Sequence, residues 1–326
     1  MSKNIKAPRV AAITVTFNRS QTLKKTISSL SRQHSDSLEK IIIVDNNSNQ
    51  EHKNKINEIA KIDKRIEVIY LNENLGGAGG FHAGIEYVKN NYNYDWYWIM
   101  DDDAYPRTDC LANLLSNIDN ENIGFLAPLI FGVEKEKYQL YHHKKVSNNL
   151  ISDVKLYNKY EDIPEKSKVQ ANAFVGPLIN ANVVKQLGNV DKDLFIYGDD
   201  TEYTYRIARN FECYLIRDAI IDHEDILHGT SNLISRKDWW KQYYKYRNRY
   251  LFINKYSEHC LKRVYSNLLL TIYIGLIAIN EMFKKHEIKT KKVILATLKK
   301  SIIDGLSNVN GKTIDPLEFI TNVSRL

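Results

Sequence analysis

The sequence predicts an α/β protein in which a sheet flanked by helices is followed by a helical C-terminal region. Between residues 9 and 100, apolar β-rich runs alternate with segments of helical spacing, an order typical of βαβ units and a parallel sheet. Polar residues follow the apolar runs, and long helical segments dominate from Trp239 onward. We therefore expect two domains, at residues 1–235 and 236–326.

The first hundred residues support this prediction element by element. Residues 10–16 form a β-rich run, and residues 20–33 carry apolar side chains every three or four positions, as a helix does. Residues 41–44 are apolar without alternation, as expected for a strand covered on both faces. Further strands are predicted at 66–71 and 94–100, and a helix at 81–88, after a glycine cluster.

The pattern is looser beyond residue 107. Residues 133–170 are polar and lysine-rich, and we assign them neither a regular element nor a role. Strands are predicted at 123–131, 174–178 and 213–222, and helices at 180–187 and 201–210.

Composition excludes several classes of protein. The chain has 326 residues, 43% of them apolar, which is enough for a sizeable core. Its three cysteines are widely spaced, so neither a disulfide framework nor a CxxC metal site is predicted. The net charge is +7, with many of the basic residues after residue 235. The N-terminus has no apolar stretch of signal-peptide length, so we expect a cytoplasmic protein.

Three adjacent carboxylates, Asp101, Asp102 and Asp103, follow the strand predicted at 94–100. They repel one another unless a cation neutralises them. In an extended segment alternate side chains point the same way, so Asp101 and Asp103 converge on one ion while Asp102 points elsewhere. Carboxylate oxygens suit Mg²⁺ or Mn²⁺. The alternative is a solvated acidic turn, but the position at the end of a buried strand favours a metal site.

A glycine cluster follows the third predicted strand, with Asn74 before it. Glycines let backbone amides approach a ligand closely, and the start of a helix favours an anion. The alternative is a flexible turn, and the adjoining metal site favours a binding role. The glycines concerned are Gly76, Gly77, Gly79 and Gly80.

Two further groups are candidates for chemistry. Asp199 and Asp200 open a predicted helix. One carboxylate is a candidate cap of the helix, and the other is a candidate general base that accepts a proton from a substrate hydroxyl. The alternative is that the pair serves as a cap only. His223 follows the strand at 213–222 and is a candidate third metal ligand, with His228 in reserve. The alternative for either histidine is structural hydrogen bonding.

Five segments in order resemble the family 2 inverting glycosyltransferases, with the closest likeness to bacterial galactofuranosyltransferases and rhamnosyltransferases of cell-surface polysaccharide synthesis. The resemblance covers about residues 9–250 and implies a GT-A fold, a Rossmann-like mixed sheet flanked by helices. The segments are residues 15–19 (VTFNR), 43–48 (IVDNNS), 74–81 (NLGGAGGF), 101–104 (DDDA) and 197–203 (YGDDTEY).

The resemblance also implies roles for individual residues. Asp101, Asp103 and His223 would bind Mn²⁺ or Mg²⁺ at the donor diphosphate. Asp200, with Asp199 beside it, would be the base that deprotonates the acceptor. The residues implied in nucleotide-sugar binding are Thr16, Phe17, Asn18, Arg19, Asp45, Asn74, Gly76, Gly77, Gly79, Gly80, Asp102, Trp240 and Arg247.

The resemblance favours UDP-galactofuranose as donor, because the DDDA and GGAGGF segments look most like the galactofuranosyl branch. The second candidate donor is dTDP-rhamnose. The acceptor implied is a saccharide, either free or linked to a lipid.

The apolar stretch at residues 264–280 has basic residues on both sides. A helix of this kind lies on an anionic membrane, or it packs in the protein or in a homo-oligomer. The membrane alternative implies an enzyme peripheral to the inner face of the cell membrane.

Two other functions are alternatives to sugar transfer. A nucleotidyltransferase usually carries a glycine-rich loop straight after its first strand, and residues 16–20 contain no glycine. A nucleic-acid-binding protein would use the basic, tyrosine-rich residues 236–263. It would leave the acidic strand ends unexplained, so no nucleic-acid partner is predicted.

Overall fold

A computed structural model describes residues 7–134, 136–224 and 234–325. The strands are β1 (Val10–Thr16), β2 (Leu38–Asp45), β3 (Ile66–Tyr70), β4 (Trp96–Asp101), β5 (Ala104–Pro106), β6 (Ile123–Gly132), β7 (Lys137–Tyr138), β8 (His143–Val146), β9 (Asp153–Lys155), β10 (Lys166–Lys168), β11 (Ala171–Asn172), β12 (Val175–Asn180) and β13 (Glu212–His223). The helices are α1 (Ser20–Ser31), α2 (Gln50–Ala60), α3 (Gly76–Asn91), α4 (Cys110–Leu115), α5 (Ala181–Leu187), α6 (Asp199–Ala208), α7 (Trp239–Tyr256), α8 (Cys260–Phe283), α9 (Ile288–Leu306) and α10 (Pro316–Arg325).

The main sheet is mixed, with strand order β10-β13-β6-β12-β4-β1-β2-β3. The half made of β4, β1, β2 and β3 is parallel throughout, as the alternation of strands and helices predicts. In the other half, β12 runs antiparallel to both β4 and β6, and β13 runs parallel to β6. The short β5 pairs antiparallel with the end of β13. The predicted α/β class with a mixed sheet is therefore confirmed.

Helix α3 begins at Gly76, not at Phe81 as the sequence predicted. The glycines belong to its first turns because the helix lies very close to β1. A Cβ atom added at Gly80 would stand 2.5 Å from Cγ1 of Val15, and one added at Gly84 would stand 2.6 Å from Cγ2 of Ile13. Real Cβ atoms do not approach other atoms so closely, so these positions require glycine for packing.

The segment 133–170, for which no regular element is predicted, contributes several short strands. Strand β7 pairs with the end of β6, and β10 pairs with β13 at the edge of the main sheet. Strands β11, β8 and β9 form a separate small sheet.

The chain forms two compact units. Unit 1 comprises residues 1–145, 154–191 and 200–225, and it holds the main sheet. Unit 2 comprises residues 146–153, 192–199 and 226–326, and it holds helices α7 to α10. Within unit 2, Phe195, Trp240, Tyr243 and Tyr244 form a buried aromatic cluster. The predicted domain division at residue 235 stays a prediction.

Helix α8 is long and apolar enough to cross a membrane, judged by length and composition alone. The core helix of a soluble protein also meets this criterion, but such a helix is mostly buried. Here only 22% of the most apolar stretch is buried. Ser266, Leu270 and Ile274 face the protein, and large apolar side chains along the rest of the helix are exposed.

Candidate active site

The ends of parallel strands bring the predicted polar residues to one edge of the sheet. In the register of β1 with β2, Thr16 lies beside Asp45, and in that of β1 with β4, Val15 lies beside Asp101. His223 lies at the end of β13, in the other half of the sheet. The pairing of this end with β5 places His223 opposite Ala104. Residues that are far apart in sequence therefore meet at the edge where ligands bind in open α/β sheets.

Asp101, Asp103 and His223 form a compact group of potential metal ligands. Each offers one ligand atom, and these atoms all lie within 4.8 Å of one another. Nε2 of His223 is 3.3 Å from Oδ1 of Asp103. A metal–oxygen or metal–nitrogen bond of about 2.1 Å places any two ligands of one ion within roughly 4.3 Å, so small side-chain adjustments suffice. The residues fit one divalent cation. The alternative ligand, His228, lies outside the described residues.

Asp102 points away from this group, as the alternation of an extended segment predicts. Its Oδ2 accepts a hydrogen bond of 2.6 Å from the Thr16 hydroxyl, and its Oδ1 is 2.9 Å from Nη1 of Arg19. Burial raises the pKa of Asp102 to about 7, although the nearby Arg19 charge works in the opposite direction. The structure therefore gives Asp102 a role in joining β1 to the acidic segment, and its predicted contact with the nucleotide stays a prediction.

The Asp103 carboxylate contacts two side chains, Arg19 and His223. Its Oδ2 accepts from Nη2 of Arg19 at 2.7 Å, and its Oδ1 faces His223. Burial works to raise the pKa of Asp103, but His223 and Arg19 together hold it well below its usual value. Asp103 is therefore ionised at neutral pH, which a metal ligand requires.

The ends of β1 and β2 are tied together by side chains. Asp45 is fully buried and accepts from the backbone N–H of Ser48 at 3.1 Å. Asn18 adopts a positive φ of 55°, and its N–H donates to Oγ of Ser48 at 2.8 Å. Phe17 is 36% exposed at this edge. The predicted contacts of Thr16, Phe17, Asn18 and Asp45 with the nucleotide stay predictions.

Asn46 fixes the start of α3 at the same edge. Its Nδ2 donates to the carbonyl of Gly76 at 2.9 Å and to Oδ1 of Asn74 at 3.1 Å. Its Oδ1 accepts from the N–H of Leu75 at 2.9 Å. Within the segment 43–48, the sequence singles out Asp45 and does not indicate the positioning role of Asn46. Donor binding by Asn74, Gly76, Gly77, Gly79 and Gly80 stays a prediction, beside the packing role described above.

Asp200 lies in the first turn of α6 and is partly buried. Its Oδ1 accepts from the N–H of Thr201 at 2.6 Å, and its Oδ2 is 3.4 Å from Nζ of Lys144. Lys144 comes from the segment 133–170 and was not predicted. Asp199 is buried. The general-base role of either aspartate stays a prediction.

Arg247 and Trp240, both predicted to bind the nucleotide-sugar, are buried in unit 2. Arg247 is 0% exposed, and its guanidinium donates to the carbonyls of Gly311 at 2.6 Å and Leu194 at 3.1 Å. Trp240 is 9% exposed and belongs to the aromatic cluster. The structure thus gives both side chains a packing role, and their predicted role in donor binding stays a prediction.

Comparison with known proteins agrees with this arrangement. Residues 11–188, more than half of the chain, match the model of glycosyl transferase family 2. The chain therefore belongs to glycosyl transferase family 2, which confirms the resemblance of its five segments. It is accordingly an enzyme of the glycosyltransferase class.

The relatives match most of the chain at low identity. This chain is 26% identical over 253 residues to the galactofuranosyltransferase GlfT1 of Mycolicibacterium smegmatis, and the match covers 74% of this chain and 81% of the relative. It is also 26% identical over 312 residues to the dTDP-rhamnosyl transferase RfbF of Shigella flexneri, covering 93% and 97% respectively.

Among solved structures, the mannosyltransferase PcManGT from Pyrobaculum calidifontis, in complex with GDP-Man and Mn²⁺, is similar in fold. The TM-score is 0.57 at 14% identity, over 94% of this chain and 89% of that one. This likeness confirms the predicted GT-A fold.

Proposed function

We propose that this enzyme transfers galactofuranose from UDP-galactofuranose to a hydroxyl of a saccharide acceptor. The observation that carries the proposal is the group formed by Asp101, Asp103 and His223 at the ends of β4 and β13. The similarity to a galactofuranosyltransferase over most of both chains supports the choice of donor. Two carboxylates and one imidazole suit Mn²⁺ better than Mg²⁺, because imidazole is a softer ligand than Mg²⁺ prefers.

In the proposed reaction the acceptor oxygen attacks the anomeric carbon as the bond from that carbon to the UDP oxygen breaks. Asp200 accepts the proton of the acceptor hydroxyl, and UDP leaves with the bonding electron pair. A cation held by Asp101, Asp103 and His223 would supply charge neutralisation for the departing diphosphate. One displacement inverts the anomeric configuration, so no covalent nucleophile is needed.

A second donor, dTDP-rhamnose, is favoured by one observation. The rhamnosyl transferase relative matches 93% of this chain, whereas the galactofuranosyl relative matches 74%. The two donors are separated by incubating the full chain with Mn²⁺ and a panel of UDP- and dTDP-sugars. We expect UDP-galactofuranose alone to raise the melting temperature strongly and to be consumed. Consumption of dTDP-rhamnose instead would replace the donor, and no response to any nucleotide-sugar would overturn the proposal.

The neighbouring aspartates provide a matched pair for testing the base. We expect Asp200→Asn to keep donor binding and to lose acceptor-dependent transfer by at least about 100-fold, the usual size of a general-base contribution. Asp199→Asn serves as the control. Transfer that falls in Asp199→Asn and persists in Asp200→Asn would move the role to Asp199.

We further propose that α8 contacts an anionic lipid bilayer and that the saccharide acceptor is carried on a lipid. Leu268, Ile272 and Leu276 are each more than half exposed and follow one another at helical spacing. Arg263 and Lys285, at the two ends of this apolar surface, are exposed as well. Apolar contact combined with flanking positive charge is the pattern of an interfacial helix.

A second copy of the chain fits this surface less well. The chain carries a net charge of +7, and in a self-complementary contact the basic flanks of α8 would meet basic flanks of the partner. An anionic bilayer has the opposite charge along its whole surface. On this proposal the enzyme is cytoplasmic and peripheral to the inner face of the membrane.

Vesicle sedimentation tests the proposal. The full chain should bind vesicles of phosphatidylcholine with phosphatidylglycerol, and the triple variant Leu268→Ser, Ile272→Ser, Leu276→Ser should bind at least about tenfold more weakly. The double variant Ile62→Ser, Val154→Ser removes exposed apolar side chains elsewhere and should bind as the unaltered protein does. A different result would identify a second copy of the chain as the occupant of this surface. In that case the unaltered protein and the double variant would be dimers, the triple variant would be a monomer, and none of the three would bind vesicles.

A further inference from the structure

We propose that Gln139 is a positioning residue that holds His223 in the tautomer needed for metal binding. Gln139 lies in the segment 133–170, to which no function has been assigned. The inference rests on the proposed function, because it concerns a ligand of the proposed metal group.

The side chain of Gln139 reaches His223 from the side opposite the acidic group. Gln139 is 4% exposed, and its backbone N–H donates a 2.8 Å hydrogen bond to the carbonyl of Ile130. Its Oε1 lies 3.1 Å from Nδ1 of His223, while Nε2 of the same ring lies 3.3 Å from Oδ1 of Asp103. The two ring nitrogens therefore face different partners, one a neutral amide and the other the ligand group.

An amide oxygen only accepts hydrogen bonds. Three groups lie within hydrogen-bonding distance of Oε1 of Gln139. They are the Tyr141 hydroxyl at 3.0 Å, Nε2 of His142 at 2.8 Å and Nδ1 of His223 at 3.1 Å. For His223 to donate to this oxygen, Nδ1 must carry the proton. Nε2 is then the ring nitrogen that faces Asp103 and is available to bind an ion held beside that carboxylate.

That assignment matters because a metal accepts a lone pair only from an unprotonated nitrogen. In metal sites the second ring nitrogen of a ligating histidine usually donates to a carboxylate, a carbonyl or water, which fixes the ring orientation. A glutamine amide supplies the same acceptor here without adding a third negative charge close to Asp101 and Asp103. Gln139 thus selects both the tautomer and the direction of the lone pair.

Pulsed EPR on Mn²⁺ bound to the full chain measures this role directly. We expect ¹⁴N modulation from His223 in the unaltered protein and its loss in His223→Ala. Gln139→Met keeps the length of the side chain but removes the acceptor, so the modulation should weaken and the Kd for Mn²⁺ should rise about 10- to 100-fold. Gln139→Glu restores an acceptor and should recover the modulation. Tyr141→Phe removes a different partner of Gln139 and should behave as the unaltered protein.

The outcomes separate this inference from the proposed function. No nitrogen modulation in the unaltered protein would overturn the metal group and the role of Gln139 together. Modulation that is lost in His223→Ala yet unchanged in Gln139→Met, with unchanged Kd, would overturn the role of Gln139 alone.

A second measurement uses the unaltered protein, so it does not depend on whether a Gln139 variant folds. In the ¹⁵N-histidine-labelled protein loaded with diamagnetic Zn²⁺, NMR should find the proton of His223 on Nδ1. A proton on Nε2 would overturn the inference.

Discussion

Two arginines, one in each unit, differ in what surrounds them. Arg19 stands at the edge of the main sheet, its side chain 45% exposed, and it pairs with the carboxylates of Asp102 and Asp103. Arg247 lies inside unit 2, fully buried, and donates to backbone carbonyls of segments that are distant in sequence. The family resemblance implies a role in nucleotide-sugar binding for both arginines.

The difference separates residues that are available for chemistry from residues that hold the chain together. A charged group among carboxylates at an accessible strand edge can exchange its partners for a ligand. A buried guanidinium that donates to several backbone carbonyls exchanges them at a higher cost, because each carbonyl would lose one of its hydrogen bonds. A sequence motif does not distinguish these two situations, whereas burial and partner type do.

The largest expected effect tests the accessible edge. Asp103→Asn removes a proposed metal ligand and should lower the rate of transfer by at least about 1000-fold, or about 4 kcal/mol in transition-state stabilisation. The far-ultraviolet circular dichroism spectrum should stay unchanged. Asp109→Asn, an exposed acid outside the group, is the matched control. Equal rates in the two variants would remove Asp103 from the chemistry.

The buried arginine is tested by Arg247→Met. The variant removes the guanidinium hydrogen bonds to the carbonyls of Gly311 and Leu194. It also loses the contact with the Tyr244 ring, whose centroid is 4.7 Å from the guanidinium carbon. We expect the free energy of unfolding to fall by about 3 kcal/mol, measured by urea denaturation. Arg263→Met, at an exposed position of α8, should change it by less than about 0.5 kcal/mol. Unchanged stability with weaker donor binding would restore Arg247 to the donor site.

Packing at the accessible edge is tested by a pair of glycines. Gly80→Ala forces a Cβ atom to within 2.5 Å of Val15 and should lower the free energy of unfolding by about 2 kcal/mol. Gly275→Ala, in α8, meets no atom within 4 Å and should raise it by about 0.5 to 1 kcal/mol through helix propensity. Thermal unfolding of both variants provides the measurement. A Gly80→Ala protein as stable as the unaltered one, but without donor affinity, would give the glycine a binding role alone.

Apart from the control variants, the smallest expected effect on stability comes from Arg19→Met. Because Arg19 is 45% exposed, solvent screens its ion pairs, and their loss should cost only about 1 kcal/mol. If urea denaturation instead gives a loss as large as that of Arg247→Met, the contrast between the two arginines fails.

The sequence predicted the parallel half of the sheet well because its inner strands β1, β2 and β4 are mostly apolar and mostly buried. It also placed the acidic cluster correctly, since strand ends follow directly from strand positions. The start of α3 was missed, because glycine lowers helix propensity and only the close approach to β1 explains its presence in a helix.

Other features depend on contacts between residues that are distant along the chain. Nothing near Gln139 in the sequence indicates that it meets His223, 84 positions away. Likewise, the burial of Arg247 depends on the segments around Leu194 and Gly311. Local patterns carry no information about such partners, so the segment 133–170 remained without an assignment.

The pairing of β5 with the end of β13 has a consequence for biosynthesis. Asp103 leaves the ribosome about 120 residues before His223, which corresponds to roughly 6 to 24 seconds at ordinary translation rates of about 5 to 20 residues per second. During that interval the nascent chain already carries all three aspartates without the imidazole. The complete ligand group therefore exists only once nearly all of unit 1 has been synthesised, and a polypeptide released early cannot assemble it.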